Sequence, residues 1–257
     1  MAIGLLLDIS GVLYNGTQVI SGAKEAVVRC RANEIPIRFL TNTTRRPKRL
    51  IVERLNHFGF AVETNEVITP SQATCDWLNE NGYSPHLLEH PDLTEDFDSV
   101  VSGNPIAVVV GDAGPFFDFE NLNAAFRDLN QGAPFLALAA NRVFRDVDGE
   151  LSLDAGAFVH GLEYAAQVEA QVLGKPSTTF FRAAADSMKL PLAEVIMIGD
   201  DAENDIAGAL KAGAGKTILV RTGKYRAGEE KRYSPPPSFV ADDISEAVDL
   251  AMQMIAQ

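Results

Sequence analysis

Six apolar runs, each breaking off at a polar or turn residue, set the strongest constraint on what this chain can fold into. They are "IGLLLDI", "IPIRFLTN", "PIAVVVGD", "FLALAAN", "VIMIGDD" and "KTILVRTG". A strand with one wet face alternates apolar and polar residues. Continuous runs of this length suit strands buried on both faces of a parallel sheet. Amphipathic segments lie between and after them, among them "GAKEAVVRCRAN", "PSTTFFRAAADSMK", "AENDIAGALKAG" and "ISEAVDLAMQMI". Another, "PKRLIVERLNHFG", opens on Pro47 and closes on Gly59, the order in which helix ends are punctuated. Strands alternating with helices predict an α/β fold with right-handed crossovers.

The middle of the chain has a different texture. Turn-rich segments, "LLEHPDLTEDFD" and "FRDVDGELSLDAG", interrupt the alternation there. The expected organisation is a core built from residues 1–73 and 174–257, with a second, smaller α/β module over residues 74–173 inserted between the two parts. A length of 257 residues suits such an arrangement.

A net charge of −13 argues against a nucleic-acid binder, which presents a basic face. Cys30 and Cys75 fit neither a disulfide framework nor a metal site. No apolar run approaches the roughly 18 residues of a membrane span, and Asp8 cuts the first one short. The expectation is a soluble, cytoplasmic protein.

Polar groups stand where the apolar runs end. Asp8 and Ser10 follow the first, Thr41 and Asn42 follow "IPIRFL", and Asp200, Asp201 and Asp205 belong to "IGDDAENDI". Lys175 lies in "LGKPS", just before a helix. Each alone has an ordinary explanation as a cap, a turn or a solvated charge. Open α/β sheets, however, bind ligands beyond the carboxyl ends of their strands, so groups far apart in sequence converge there. Carboxylates, a hydroxyl, an amide and one lysine are the parts of a Mg²⁺-assisted phosphoryl site, in which a carboxylate can attack phosphorus.

"DISGVLY", "FLTNTT", "LGKPS" and "MIGDDAENDIAGALKAG" resemble, in this order, the four motifs of the haloacid dehalogenase (HAD) superfamily. The long separation between the second and third is similar to the branch with a large α/β cap, that of the 4-nitrophenylphosphatase-like enzymes. "DISGVLY" with "VRTGKYR" is more similar still to members of that branch acting on phospholysine, phosphohistidine and pyrophosphate. The resemblance implies a HAD-like Rossmannoid core, an inserted cap, and Mg²⁺-dependent hydrolysis of a small phosphorylated substrate through an aspartyl-phosphate. It implies that Asp8 is the nucleophile and a metal ligand, that Ser10 offers its backbone carbonyl to the metal, and that Asp200 is a further ligand. Asp201 and Asp205 would be supporting acids. Thr41, Asn42 and Lys175 would bind the phosphoryl group, with Lys175 also pinning Asp8. Relatives of this kind often form homodimers through the cap.

Ser10 departs from the superfamily's usual pattern, which has aspartate there to protonate the leaving group. Serine has no group that titrates near neutral pH, so substrates needing little protonation are expected, such as phosphoramidates and pyrophosphate. In the cap, "AANRVFRDVDGELSLDAGAF" is the expected specificity loop, with Asn141, Arg142 and Arg145 placed to reach an anionic or carbonyl-bearing substrate; a surface hairpin with ordinary charges is the plainer alternative, and the preferred one for Arg145. Three alternatives stand beside the phosphatase. A catalytically weak HAD protein that only binds a phosphorylated ligand would explain Ser10. A receiver-type signalling domain would have its acidic pair first and its nucleophile in the middle, the reverse of the order here. True dehalogenase chemistry would not need "GDDAEND".

Overall fold

The computed structural model describes residues 4–145 and 150–255. The chain divides into two compact units, the first made of residues 1–41, 52–68 and 175–257 and the second of residues 42–51 and 69–174.

The first unit is built on a six-stranded, all-parallel sheet. Its strands run in the order Phe239–Ala241, Lys216–Val220, Val195–Gly199, Gly4–Asp8, Ile37–Leu40, Val67–Ile68. Leu5, Leu6 and Leu7 are all fully buried. Successive side chains of a strand point to opposite faces, so both faces of the sheet are covered, as the unbroken apolar runs predict. The Ala23–Ala32 helix packs against Ile244–Ile255, and Thr178–Asp186 against Gly208–Ala212. From Gly4–Asp8 the chain first builds outward through Ile37–Leu40 to Val67–Ile68. It later returns to build the other side from Val195–Gly199. The order therefore reverses between Gly4–Asp8 and Val195–Gly199, and a crevice for ligands opens at such a switch point, at the strands' carboxyl ends.

The second unit has its own four-stranded parallel sheet, ordered Gln171–Val172, Phe135–Ala137, Ile106–Val110, Ser84–Leu88. Val108 and Val110 join one buried cluster with Leu129, Val159 and Leu162. Ala107 and Val109 join another with Leu78, Leu93 and Leu138. This sheet too is covered on both faces. The Pro70–Asn81 helix begins where Thr69 accepts a hydrogen bond from the Gln72 N–H, with Pro70 in the first turn where its missing N–H costs nothing. Val143–Arg145 pairs antiparallel with Leu151–Leu153, and residues 146–149 of the expected specificity loop lie outside the described residues. Among the described residues no helix is long and apolar enough to cross a membrane.

Candidate active site

Asp8 is the last residue of its strand and Asp200 directly follows Val195–Gly199. These two strands pair in parallel with Leu7 opposite Ile198, which sets both acids at the switch point. Asp8, Thr41, Lys175, Asp200 and Asp205 are all buried in the first unit. Asp8, Asp200 and Asp205 each bring a carboxylate oxygen to one place, the oxygens lying within 4.8 Å of one another. Lys175, only 3% exposed, forms ion pairs with Asp8 and, at 2.6 Å, with Asp205 Oδ1.

The turn after Asp200 explains how Asp205 reaches this group. Ala202–Ala207 is a π-helix, its hydrogen bonds spanning one residue more than those of an α-helix, of the kind often found at functional sites. Asp201 caps it, its Oδ1 accepting from the N–H groups of Glu203 at 3.0 Å and Asn204 at 2.9 Å. Asp205 folds back onto Gly199, whose bare Cα leaves room for the carboxylate where any larger residue would overlap it. Its Oδ2 accepts from the Asp201 N–H at 3.2 Å. The two acids that sequence reading groups together thus have different surroundings.

Burial pushes the Asp200 carboxyl well above the usual carboxylate range, and the charges of Asp8 and Asp205 add to the effect. Burial likewise raises Asp205 to about 7, against the pull of Lys175 and with the repulsion of Asp8 and Asp201. Burial would also raise Asp201, but Lys224 and the amide donors of Asn204 outweigh it and hold that carboxyl below its ordinary value. For Lys175 burial acts to depress the ammonium, and Asp205 and Asp8 more than reverse this. With Asp8, Asp200 and Asp205 all ionised, Lys175 and the more exposed Lys224 beside Asp201 leave the cluster short of positive charge. Clustered hard oxygen donors with that deficit are the donor set of a hard divalent cation.

Ser10 is exposed on the loop that follows Asp8, where its backbone bridges to Tyr14. Thr41 follows the Ile37–Leu40 strand and donates its N–H to the Ile68 carbonyl at 3.3 Å. Asn42, next along the chain, groups with the second unit, where its side chain packs on Gly174. Asn141 and Arg142 also belong to the second unit. The Asn141 carbonyl accepts from the Gly156 N–H at 3.0 Å, and that of Arg142 from the Asp154 N–H at 3.2 Å. Lys224 is given no part by the sequence reading. Its N–H donates to Asp200 Oδ2 at 2.7 Å, and its Nζ lies 3.3 Å from Asp201 Oδ2. The available signal is its place just beyond the apolar run "KTILV", in the strand beside Val195–Gly199.

A family model described as haloacid dehalogenase-like hydrolase matches residues 5–100, and one described as HAD-hydrolase-like matches residues 172–247. The phospholysine phosphohistidine inorganic pyrophosphate phosphatase of Rattus norvegicus is 40% identical over 97% of this chain and 94% of its own length. The chain belongs to the haloacid dehalogenase-like hydrolase family. Within that family it stands among the phosphatases. The haloacid dehalogenase-like hydrolase domain-containing protein 2 of Bos taurus is 39% identical over 97% of this chain and 95% of its own. The solved p-nitrophenyl phosphatase of Archaeoglobus fulgidus superposes with a TM-score of 0.88 at 25% identity, covering 97% of this chain and 99% of that one. The α/β architecture with parallel sheets is therefore that of HAD phosphatases that carry a cap.

Proposed function

We propose that this HAD phosphatase hydrolyses a small phosphorylated substrate through an aspartyl-phosphate on Asp8. The substrate is a phosphate monoester, a phosphoramidate of the phosphohistidine or phospholysine type, or pyrophosphate, and Ser10 favours the last two. The observation that carries the reading is the meeting of Asp8, Lys175, Asp200 and Asp205 at the switch point of the sheet. The name of the rat relative, conserved in length with this chain, supports the same substrate classes.

In this reading an Asp8 oxygen forms a bond to phosphorus as the P–N or P–O bond breaks. A nitrogen leaving group departs with a proton it already carries, phosphate departs as an anion, and the oxygen of a monoester departs as an aryloxide or alkoxide that takes a proton from solvent. A water oxygen then bonds to phosphorus, the Asp8 O–P bond breaks, and free Asp8 and inorganic phosphate result, the water's protons passing to phosphate and solvent. Lys175 holds Asp8 in place and offers its charge to the phosphoryl oxygens, with Thr41 and Asn42 binding the same group. Asp8, the Ser10 carbonyl and Asp200 would hold Mg²⁺, with Asp205 in support, and the ion would neutralise charge on the phosphoryl group. The second unit, including residues 74–173, serves as the cap that selects substrate, with Asn141 and Arg142 its selecting residues.

A catalytically weak phosphate-binding protein is the second reading, and Ser10 is the residue in its favour. One experiment separates the two. Phosphate release from pyrophosphate, phosphohistidine, phospholysine and 4-nitrophenyl phosphate is followed with Mg²⁺ and with excess chelator, and acid-quenched enzyme is assayed for acyl phosphate. Turnover that needs the cation, with acid-stable label on Asp8, supports the phosphatase. Phosphate binding without turnover of any substrate supports the alternative, and full turnover in chelator would overturn the metal assignment.

A further inference from the structure

The motif "VRTGKYR" contributes nothing to the chemistry above, yet part of it encloses Asp200. Three neighbouring strands of the first unit's sheet end here: Gly4–Asp8, Val195–Gly199 and Lys216–Val220. Asp200 follows the middle one, so the loops after the outer two flank it. Gly11 comes from one side with φ +90° and Gly223 from the other with φ +61°. Both conformations suit glycine, and a methyl group on either residue would overlap the Asp200 carboxylate. Thr222 closes the enclosure by donating its hydroxyl proton to the Gly11 carbonyl, tying the outer loops together across Asp200. Lys224 then donates its backbone N–H to Asp200 Oδ2 at 2.7 Å. Rotation of the carboxylate about Cβ–Cγ would move Oδ2 off that N–H. The Lys224 ammonium, 3.3 Å from Asp201 Oδ2, reaches the residue that caps the π-turn bearing Asp205.

We infer that Thr222, Gly223 and Lys224 form a latch that orients Asp200, and through Asp201 the turn bearing Asp205, for a divalent cation. They are positioning residues, acting through the acids they hold. The inference rests on the reading of Asp200 as a metal ligand. A plain structural turn would also carry a threonine–carbonyl bond and a surface ion pair. It would not need two glycines closed on one carboxylate with a backbone N–H aimed at it. Partners that orient metal ligands are typically worth about 10–100-fold in metal affinity or activity.

The test measures cation affinity directly, by calorimetric titration with Mg²⁺ and by electron paramagnetic resonance with Mn²⁺, on the full chain. Thr222→Val is expected to weaken binding about 10–100-fold with little change in Tm; Lys224→Met, which keeps the backbone N–H on Asp200 and removes only the ammonium held by Asp201, is expected to weaken it less, and Lys224→Arg to recover most of that smaller loss. Gly223→Ala is expected to be the most severe; should it fail to fold, the two milder variants still decide. Asp200→Asn is the reference. If it abolishes binding while Thr222→Val and Lys224→Met bind as tightly as the native chain, the latch is overturned and the ligand assignment stands. If Asp200→Asn itself binds normally, the ligand assignment falls and takes the latch with it.

Discussion

Lys175 Nζ and Asp205 Oδ1 lie 2.6 Å apart, both side chains almost wholly shielded from solvent. The same ammonium also pairs with Asp8, so one cation ties the end of the first strand to the π-turn after Val195–Gly199. Removing it strands two carboxylates in a low-dielectric site. Breaking a buried pair in this way costs about 3–5 kcal/mol. Lys175→Met is therefore expected to lose that order of stability in denaturant titrations and to lose activity. A divalent cation that binds the folded chain stabilises it by mass action. Saturating Mg²⁺ should thus raise the stability of the variant more than that of the native chain, because the extra carboxylate charge strengthens the site. Equal shifts in both would remove the cation from the carboxylate cluster.

Asp8→Asn replaces one carboxylate oxygen by an amide at nearly constant shape. Lys175 keeps Asp205 as a partner, so the fold should survive. In the proposed mechanism this removes the attacking anion, and turnover is expected to drop by at least ~10³-fold, the scale on which loss of a nucleophile is read. Steady-state phosphate release and the acid-quench assay check this together. Near-native turnover would exclude Asp8 as the nucleophile.

Glu89, in the second unit, is expected to make stability depend on pH. It follows the Ser84–Leu88 strand of the second unit, is 8% exposed, and neither carboxylate oxygen makes a well-formed hydrogen bond. Burial pushes its pKa up to about 8; the Thr94 hydroxyl opposes this and the Asp96 charge adds to it. An acid whose pKa is higher folded than unfolded binds its proton more tightly in the fold. Its favourable contribution is complete below the unfolded value of about 4.3 and is lost as pH rises towards the folded one. Each unit of difference is worth about 1.4 kcal/mol, so the whole effect is a few kcal/mol. Glu89→Gln cannot ionise. Relative to the native chain it should gain stability steadily from about pH 5 to about pH 8, measured by denaturant titration across that range. A difference that does not change with pH would mean the carboxyl is ionised throughout.

How much of this was legible in advance varies with the range of the interaction. The unbroken apolar runs are read correctly because Leu5, Leu6 and Leu7 must face both sides of a covered sheet, and that demand is written residue by residue. Val67–Ile68 and Gln171–Val172 are only two residues long, too short for any period to appear, and they exist because a neighbouring strand offers its edge. "AENDIAGALKAG" reads as one ordinary helix, whereas the cap at Asp201 and the packing of Asp205 on Gly199 widen its first turn into a π-helix. Lys224 could not be ranked above other lysines, since its bond to Asp200 is made by a backbone N–H that every residue but proline carries. The grouping of residues 42–51 with the second unit is equally invisible, because the Lys48–His57 helix pattern runs straight through the division.

The last prediction concerns Ser10, exposed between buried neighbours two residues beyond Asp8. Without a titratable group there, the leaving group must depart with little help. Rates should then fall steeply as the leaving group becomes more basic, with aryl phosphates, pyrophosphate and P–N substrates ahead of alkyl phosphates. Ser10→Asp places a carboxylic acid where it can protonate a poor leaving group and later act as a base toward water. The slope should flatten, with the gain on alkyl phosphates bounded at ~10²–10⁴-fold for one general acid–base group. Part of that gain will be lost, because a fourth acid joins a region where Asp200 and Asp205 are already held above the usual carboxylate range by burial and by their neighbours' charges. The measurement is a series of phosphate esters of graded leaving-group pKa, run on both proteins under single-turnover conditions. A shallow slope in the native enzyme would show that another residue supplies the proton. Ser10 would then not select the substrate, while cleavage through Asp8 would be untouched by that result.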